Sequence, residues 1–303
     1  MTSGKSGPTR LVLVGSVVVD LVLPVAALPP RGGDVLSTGA TFVVGGGWYV
    51  MSAAARAGLP TAYAGRHGRG PFGDRVRSAL AAAGVQVMLD PDAVEDTGLC
   101  VVLVEPDGER TFITHPGVEA STDTSTLAGL AVADEDAVYV SGYDLAYPVS
   151  GPAIGDWVAS RPSGAALILD PGPLVADIPA DLLAGVLRRT TLLTMNRREA
   201  ALLMGLNDAT EVARAVRGRL AAAALVVVRD GVHGAHATGG ELGDLIVRIP
   251  PDVVTAVDTT GAGDVHTGTL IAALAAGLDP LAAVRRANTA AARLVSAVRA
   301  PDA

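Results

Sequence analysis

Short apolar, β-like runs alternate with stretches of helical spacing along most of this chain, and that alternation restricts its possible architectures more than any other feature. The β-like runs fall at 11–19, 61–65, 137–141, 166–170, 191–195 and 225–229. Helical patterns fall at 50–57, 73–83, 197–204, 209–222, 264–276 and 280–298. Strands joined through helices pair in parallel, and the helices then cover both faces of the sheet. The expected fold class is therefore α/β, with a doubly wound, mostly parallel sheet. Punctuation sharpens two helices: Gly277 stops one, and Asp279-Pro280 opens the next with a cap and a first-turn proline. The 303 residues suit a single domain over 1–303, with no internal repeat or long linker to divide it.

Two stretches break the alternation. Residues 21–46 carry Pro24, Pro29, Pro30, Gly32 and Gly33; in 98–116, apolar residues 101–104 face 111–114 across Pro106-Asp107-Gly108, a hairpin signal. Short strands with no helix between them predict a small β-sheet projecting from the main body.

Charge and composition remove several partners. A net charge of -8, with no run of Lys or Arg, offers nothing to neutralise a row of phosphates, so no nucleic acid is expected. No apolar stretch reaches the ~18 residues that cross a bilayer, so no membrane is expected either. Lys5 and Arg10 before the run at 11–19, with Ala26-Ala27 after it, can mimic a signal peptide. Asp20 interrupts that pattern, and the run reads as a buried first strand of a soluble, cytoplasmic protein. The single Cys100 cannot form an internal disulfide and excludes a multi-thiolate zinc site.

Chemistry concentrates at Asp258-Thr259-Thr260-Gly261-Ala262-Gly263-Asp264. The β-branched residues 253–257 predict a strand before it, and Thr267, Leu270, Ile271 and Leu274 predict a helix after it. The first N–H groups of a helix lack partners and sit at its positive end, so they bind an anion where side chains stay clear, as Gly261 and Gly263 allow. Asp264 then stands where a carboxylate can take a proton from a hydroxyl attacking a phosphoryl group.

A second glycine-rich turn competes for attention. Gly68-Arg69-Gly70-Pro71-Phe72-Gly73 fits G-x-G-x-x-G, follows a β-like run, precedes a helix and has Asp90 about twenty residues on, as in a dinucleotide-dependent oxidoreductase. Against this, Arg66-His67 separate the run from the glycines and Pro71 removes a donor. Gly4-Lys5-Ser6 imitates the end of a P-loop but lacks the upstream glycine and a preceding strand.

The segment 258–264 closely resembles the C-terminal signature of the ribokinase-like (PfkB) carbohydrate kinases, and the resemblance extends over most of the chain. It implies a ribokinase-like fold in which the small sheet, built from 21–46 and 98–116, is a lid over the substrate and, in many members, a homodimer contact. It implies ATP-dependent phosphorylation of a sugar or nucleoside, with Asp264 as the base and Gly261, Ala262 and Gly263 as the anion hole. Asp20 at the end of the first strand, and Gly45 and Gly46 of the glycine run before Trp48, match substrate-binding positions. The family's Asn falls here on Tyr49, a departure that alters the acceptor or leaves a ligand-binding protein of weak turnover. Asn196-Arg197-Arg198-Glu199 matches the family's Asn-x-x-Glu motif, implying nucleotide and water-mediated Mg2+ contacts; the same residues also make a capping box. Gly231 falls in the turn near the nucleotide, and Asn288 matches an adenine-side Asn or is a polar residue on a packed helix. Asp258 matches a position that helps hold a monovalent cation such as K+. Arg66, His67 and Arg69, where members often place an Asp, are a further departure.

Overall fold

The computed structural model describes residues 7–161 and 164–297. Along the chain come β1 (Arg10–Leu13), β2 (Val19–Pro24), β3 (Thr41–Val44), α1 (Trp48–Arg56), β4 (Thr61–Tyr63), α2 (Pro71–Ala82) and β5 (Gln86–Val87). The hairpin β6 (Leu99–Val104) and β7 (Arg110–His115) leads to α3 (Thr124–Ala128), β8 (Asp136–Ser141), α4 (Gly142–Ala146) and α5 (Ser150–Ser160). Then follow β9 (Ala166–Asp170), α6 (Ala180–Arg189), β10 (Leu192–Asn196), α7 (Arg197–Met204), α8 (Ala209–Val216) and β11 (Leu225–Arg229). The chain closes with β12 (Ala235–Gly239), β13 (Val247–Ile249), α9 (Ala262–Ala275) and α10 (Pro280–Ser296).

Nine strands form the main sheet in the order β13-β12-β11-β10-β9-β8-β1-β4-β5. Pairing is parallel except around β12, which runs antiparallel to both β11 and β13. Alternate strand residues feed two cores. Leu11, Leu13, Leu225 and Val227 pack under α1, α2, α9 and α10; Val12, Val14, Val226 and Val228 pack under α3, α5, α6 and α8. Each strand is therefore apolar on both sides, which is why the β-like runs are continuous rather than alternating. After β5 the chain returns to pair β8 beside β1, so the carboxyl ends of β1 and β8 diverge and open a crevice at the topological switch point.

The predicted small sheet is present, with four strands in the order β3-β2-β6-β7. Two of its elements depart from the expectation. The run at 11–19 is not one strand: β1 ends at Leu13, and β2 begins at Val19 in the small sheet. Residues 14–18 between them are buried outside both strands: Val14 N still donates to Tyr139 O of β8 (3.0 Å), while Val18 O and Ser16 O accept from Gly45 N (2.9 Å) and Gly47 N (3.0 Å). Asp20 therefore sits within a strand of the small sheet, not at the end of the first strand of the main sheet. The strand expected at 253–257 is also absent: Pro250 and Pro251 remove donors just ahead of it, Val253 is 97% exposed, and only Val257 N reaches a partner, Val295 O at 2.7 Å. The helix expected at 209–222 ends at Val216 and tightens into a 3-10 turn, Arg217–Arg219. Gly4, Lys5, Ser6 and the end of the helix expected at 280–298 lie outside the described residues.

Candidate active site

The carboxyl ends of three adjacent strands supply one cluster. Asp170 closes β9, Asn196 closes β10 and Arg229 closes β11, with Asn196 and Arg229 in register. Arg229 is its hub. Its Nη1 donates to Thr194 Oγ1 (2.9 Å) and Thr267 Oγ1 (2.8 Å), and its Nη2 donates to Asp170 Oδ2 (3.0 Å), with Glu199 Oε2 at 3.5 Å. A guanidinium with both arms bonded this way is held in a single orientation. Thr194 lies on β10 and Thr267 on α9, so Arg229 also ties the sheet to the helix that carries Asp264.

That helix begins at Gly261, whose φ of +71° is the left-handed conformation glycine adopts without strain. A Cβ at Gly261 would meet the Tyr49 ring at 2.9 Å, so the turn and the tyrosine are pressed together. A Cβ at Gly263 would lie 3.5 Å from the Arg229 guanidinium, which places that cation against the anion turn. Ala262 N turns back to Thr259 O (3.2 Å). Burial, reinforced by Asp170 and opposed by Arg229, lifts the Asp264 carboxyl to about 6.

Asp20 approaches from the small sheet. Its carboxylate lies against Gly45, where a Cβ would be 2.2 Å from Oδ2, so any side chain there would expel it. Burial, and then the charge of Asp264, raises Asp20 to about 7. The two carboxylates thus share one electrostatic environment, with Tyr49 at the rim of α1 beside the turn. Trp48 meets Tyr49 edge to face at 5.0 Å.

Asn196 and Glu199 make the capping box of α7: Glu199 N donates to Asn196 Oδ1 (2.9 Å) and Asn196 N to Glu199 Oε2 (2.7 Å). Glu199 is buried, and burial together with Asp170 raises its carboxyl above the usual range against the pull of Arg229. Among the described residues no three His, Cys, Asp or Glu side chains are set to cage a metal ion. Three carboxylates beside one guanidinium leave a surplus of negative charge, which suits Mg2+ held mainly by phosphate oxygens and water. Gly231 lies exposed in the turn after β11, with φ +51°. Asn288 is committed inside the protein: its Nδ2 donates to Pro250 O (3.0 Å), and its Oδ1 accepts from His266 Nε2 (3.1 Å). Burial, aided by Arg229, lowers His266 to about 3, so it is neutral.

Asp258 faces a different neighbour from the one its motif suggests. Its Oδ1 accepts from Thr260 N (2.8 Å), Thr260 Oγ1 (2.7 Å) and Arg110 Nη2 (2.5 Å), and Arg110 Nη1 also reaches Thr259 Oγ1 (3.1 Å). Arg110 opens β7, so the small sheet touches the signature turn directly.

The glycine turn at 68–73 is closed to a pyrophosphate. Phe72 N and Gly73 N, the α2 donors that a phosphate would need, already bond Asp96 Oδ2 (3.0 Å) and Oδ1 (2.9 Å). The glycines admit this segment: a Cβ at Gly68 would lie 2.3 Å from the Asp96 backbone. Arg66 ties loops together through Ser121 O (2.8 Å) and Asp92 Oδ2 (2.6 Å); His67 is buried and Arg69 points outward. Sequence reasoning did not single out Asp170, Arg229 as the hub, or Tyr143 on α4, whose phenol is raised by burial and then by Asp264. A charged residue terminating an apolar run, as in Asp170 and Arg229, is the signal that could have found the first two.

Comparison with known proteins bears on the family and the fold. The sequence profile described as pfkB family carbohydrate kinase matches residues 8–301. An uncharacterised sugar kinase of Escherichia coli K12, YegV, is 34% identical over 290 residues, covering 94% of this chain and 88% of the relative. A ribokinase of Arabidopsis thaliana is 29% identical over 279 residues, covering 88% of this chain and 71% of the relative. Among solved structures, adenosine kinase from Sinorhizobium meliloti superposes with a TM-score of 0.81 at 20% identity, covering 98% of this chain and 96% of that one. A ribokinase from Cryptococcus neoformans in complex with ADP gives 0.81 at 22%, with the same coverage. At these identities the structural likeness speaks to the fold alone. Among the described residues no helix is long and apolar enough to cross a membrane.

Proposed function

This chain belongs to the pfkB family of carbohydrate kinases, and we propose that it transfers the γ-phosphate of ATP to a primary hydroxyl of a sugar or nucleoside with Asp264 as general base. The observation that carries this reading is the placement of Asp264 in the first turn of α9, beside the turn at 261–263 and the Arg229 guanidinium. Asp264 accepts the hydroxyl proton as the oxygen attacks phosphorus. Gly261, Ala262 and Gly263, at the positive end of α9, oppose the charge that develops on the phosphoryl oxygens, and Arg229 adds a fixed cation behind them. Asp20 holds acceptor hydroxyls, with Gly45 leaving room for its carboxylate, Gly46 letting the turn close on the Ser16 backbone, and Tyr49 bounding the acceptor end. Asn196 and Gly231 border the nucleotide, and Asn288 supports the same region from beneath through His266. Mg2+, held through water by Glu199 and by the phosphates, would neutralise the charge on the phosphate chain.

The lid encloses this site and offers a second surface. Asp20, Cys100 and Thr114 share one row across β2, β6 and β7, facing inward. The adjacent row, Leu21, Phe42, Val101 and Ile113, faces the other way; Phe42 packs in part against Phe72 and Arg75 of α2, and Ile113 is exposed. This apolar outer face supports a homodimer through the lid.

ADP release measured across a panel of sugars and nucleosides tests the kinase reading. Turnover should appear with at least one acceptor and fall by about 10³-fold in Asp264→Asn; turnover unaffected by that substitution removes Asp264 as the base. Thermal shift adds a check on the oxidoreductase alternative, because Mg-ATP and not NAD(H) should stabilise the protein.

A further inference from the structure

The family resemblance assigns Asp258 to a monovalent cation, yet its carboxylate is engaged differently. Oδ1 already accepts three donors, one of them the guanidinium of Arg110 at 2.5 Å. A cation coordinated by that oxygen would stand within a few ångströms of a fixed positive charge. Two positive charges that close repel each other strongly at a partly buried site, so the two compete for one place. The donor set does not fit a resident K+ while Arg110 is paired. Arg110 is also well held: its side chain is 17% exposed, Nη1 bonds both Thr259 Oγ1 (3.1 Å) and Gly108 O (3.4 Å), and its backbone is fixed in the β6–β7 ladder opposite Val104.

We propose that Arg110, carried on the lid, supplies at Asp258 the positive charge that a bound monovalent cation would otherwise supply, so that lid contact rather than an ion completes the anion-binding turn. Asp258 and Thr259 are the first residues of the turn that ends in Asp264. Neutralising Asp258 keeps a carboxylate from opposing the phosphate that Gly261 and Gly263 receive. Arg110 acts through Asp258 and is a positioning residue. Because it belongs to β7, the charge arrives and leaves with the lid, which links lid position to the competence of the turn. This inference rests on the kinase reading only for the identity of the anion; the competition at Asp258 stands on geometry alone.

The test compares the full chain with Arg110→Met, Arg110→Gln and Arg110→Met/Asp258→Asn at constant ionic strength. Two salts are used, KCl and tetramethylammonium chloride, with guanidinium chloride at low millimolar concentration as a rescue arm. Melting temperature and the dissociation constant of Mg-AMP-PNP are read in each. The wild type should bind Mg-AMP-PNP equally, within twofold, in both salts and melt at the same temperature. Both single variants should bind at least fivefold more weakly in tetramethylammonium, and recover in KCl or with guanidinium. The double variant should show no such recovery. A wild type that binds fivefold better in KCl, or melts higher in it, overturns the proposal, as does a single variant indifferent to all three cations. If Mg-AMP-PNP binds in no salt the kinase reading fails, while the K+ dependence of the melting temperature still decides this inference: a KCl response in the single variants but not the wild type supports it.

Discussion

Asp264 can act as a base only when ionised, and its neighbours decide when that is. Burial and Asp170 lift its carboxyl to about 6 while Arg229 pulls it down. The value is high enough to make it a better proton acceptor than an exposed aspartate, and low enough to leave it ionised at neutral pH. kcat/KM should therefore fall as pH drops through about 6, which a pH–rate profile measures directly. Arg229→Met removes the opposing pull and should move that limb to higher pH; a limb that stays in place would mean Arg229 does not tune the base. Asp264→Asn should lower kcat by about 10³-fold with the melting temperature kept, since general-base groups contribute 10²–10⁴-fold. Tyr49 works at the same scale. Its ring packs on Gly261, so Tyr49→Asn, which restores the residue typical of the family, should change which acceptors turn over more than it changes Mg-AMP-PNP affinity.

Helices α1, α2 and α9 show how element geometry serves this chemistry. A Cβ at Gly268 would lie 2.1 Å from Val50 O, so α9 and α1 approach backbone to backbone, which fixes Asp264 relative to Tyr49. Gly268→Ala should push the helices apart, cost about 1–3 kcal/mol in a denaturant titration, and lower kcat as well. The α2 start differs, because Asp96 fills it for structural reasons. Asp96→Ala should cost about 1 kcal/mol, as lost helix caps do, and leave Mg-AMP-PNP binding unchanged. Elements with strong periodicity or caps were legible in the sequence: α7 at 197–204, β11 at 225–229, the hairpin of β6 and β7, and the signature helix. Two β-like runs misled for different reasons. At 11–19 the chain changes sheets inside an apolar run, and hydrophobicity is blind to which ladder a buried residue joins. At 253–257 the valines favour extended backbone, but Pro250 and Pro251 remove donors just ahead of them and Val253 stands 97% exposed. Members of the candidate site were legible where a motif marked them, at Asp264, Asn196 and Glu199. Asp170 and the hub role of Arg229 depend on three strand ends meeting, which no local window reveals.

Across the whole molecule, the carboxylates crowded around the crevice and its surroundings tie stability to pH. Asp20 and Asp144 are raised to about 7 and Asp264 to about 6, and Glu199 and Glu119 are raised too, in each case first by burial. Unfolded, such groups titrate near 4, so between about 4 and 7 the native state holds protons that the unfolded state has released. Their contribution is therefore lost as pH rises through that window. His266, lowered to about 3, and the lowered His67 work in the opposite sense below about 6.5, where the unfolded chain binds protons that the native state refuses. Five carboxyls against two imidazoles leave the native state with the larger proton uptake. The free protein should therefore be more stable at pH 5.5 than at pH 8, as read from urea midpoints. Stability that is level or rising over that range would show that the carboxyls are not raised as the fold requires. Asp144 lies outside the transfer chemistry and separates the two causes. It is fully buried beside the β1–β8 crevice, where a Cβ at Gly15 would touch its Oδ2, so Asp144→Asn removes one proton from the native excess. The slope of stability against pH near pH 5.5 should fall by about 1.4 kcal/mol per pH unit, the value of one proton. The pH–rate limb expected of Asp264 should stay where it was, because the groups that shift the Asp264 carboxyl are Asp170 and Arg229, not Asp144.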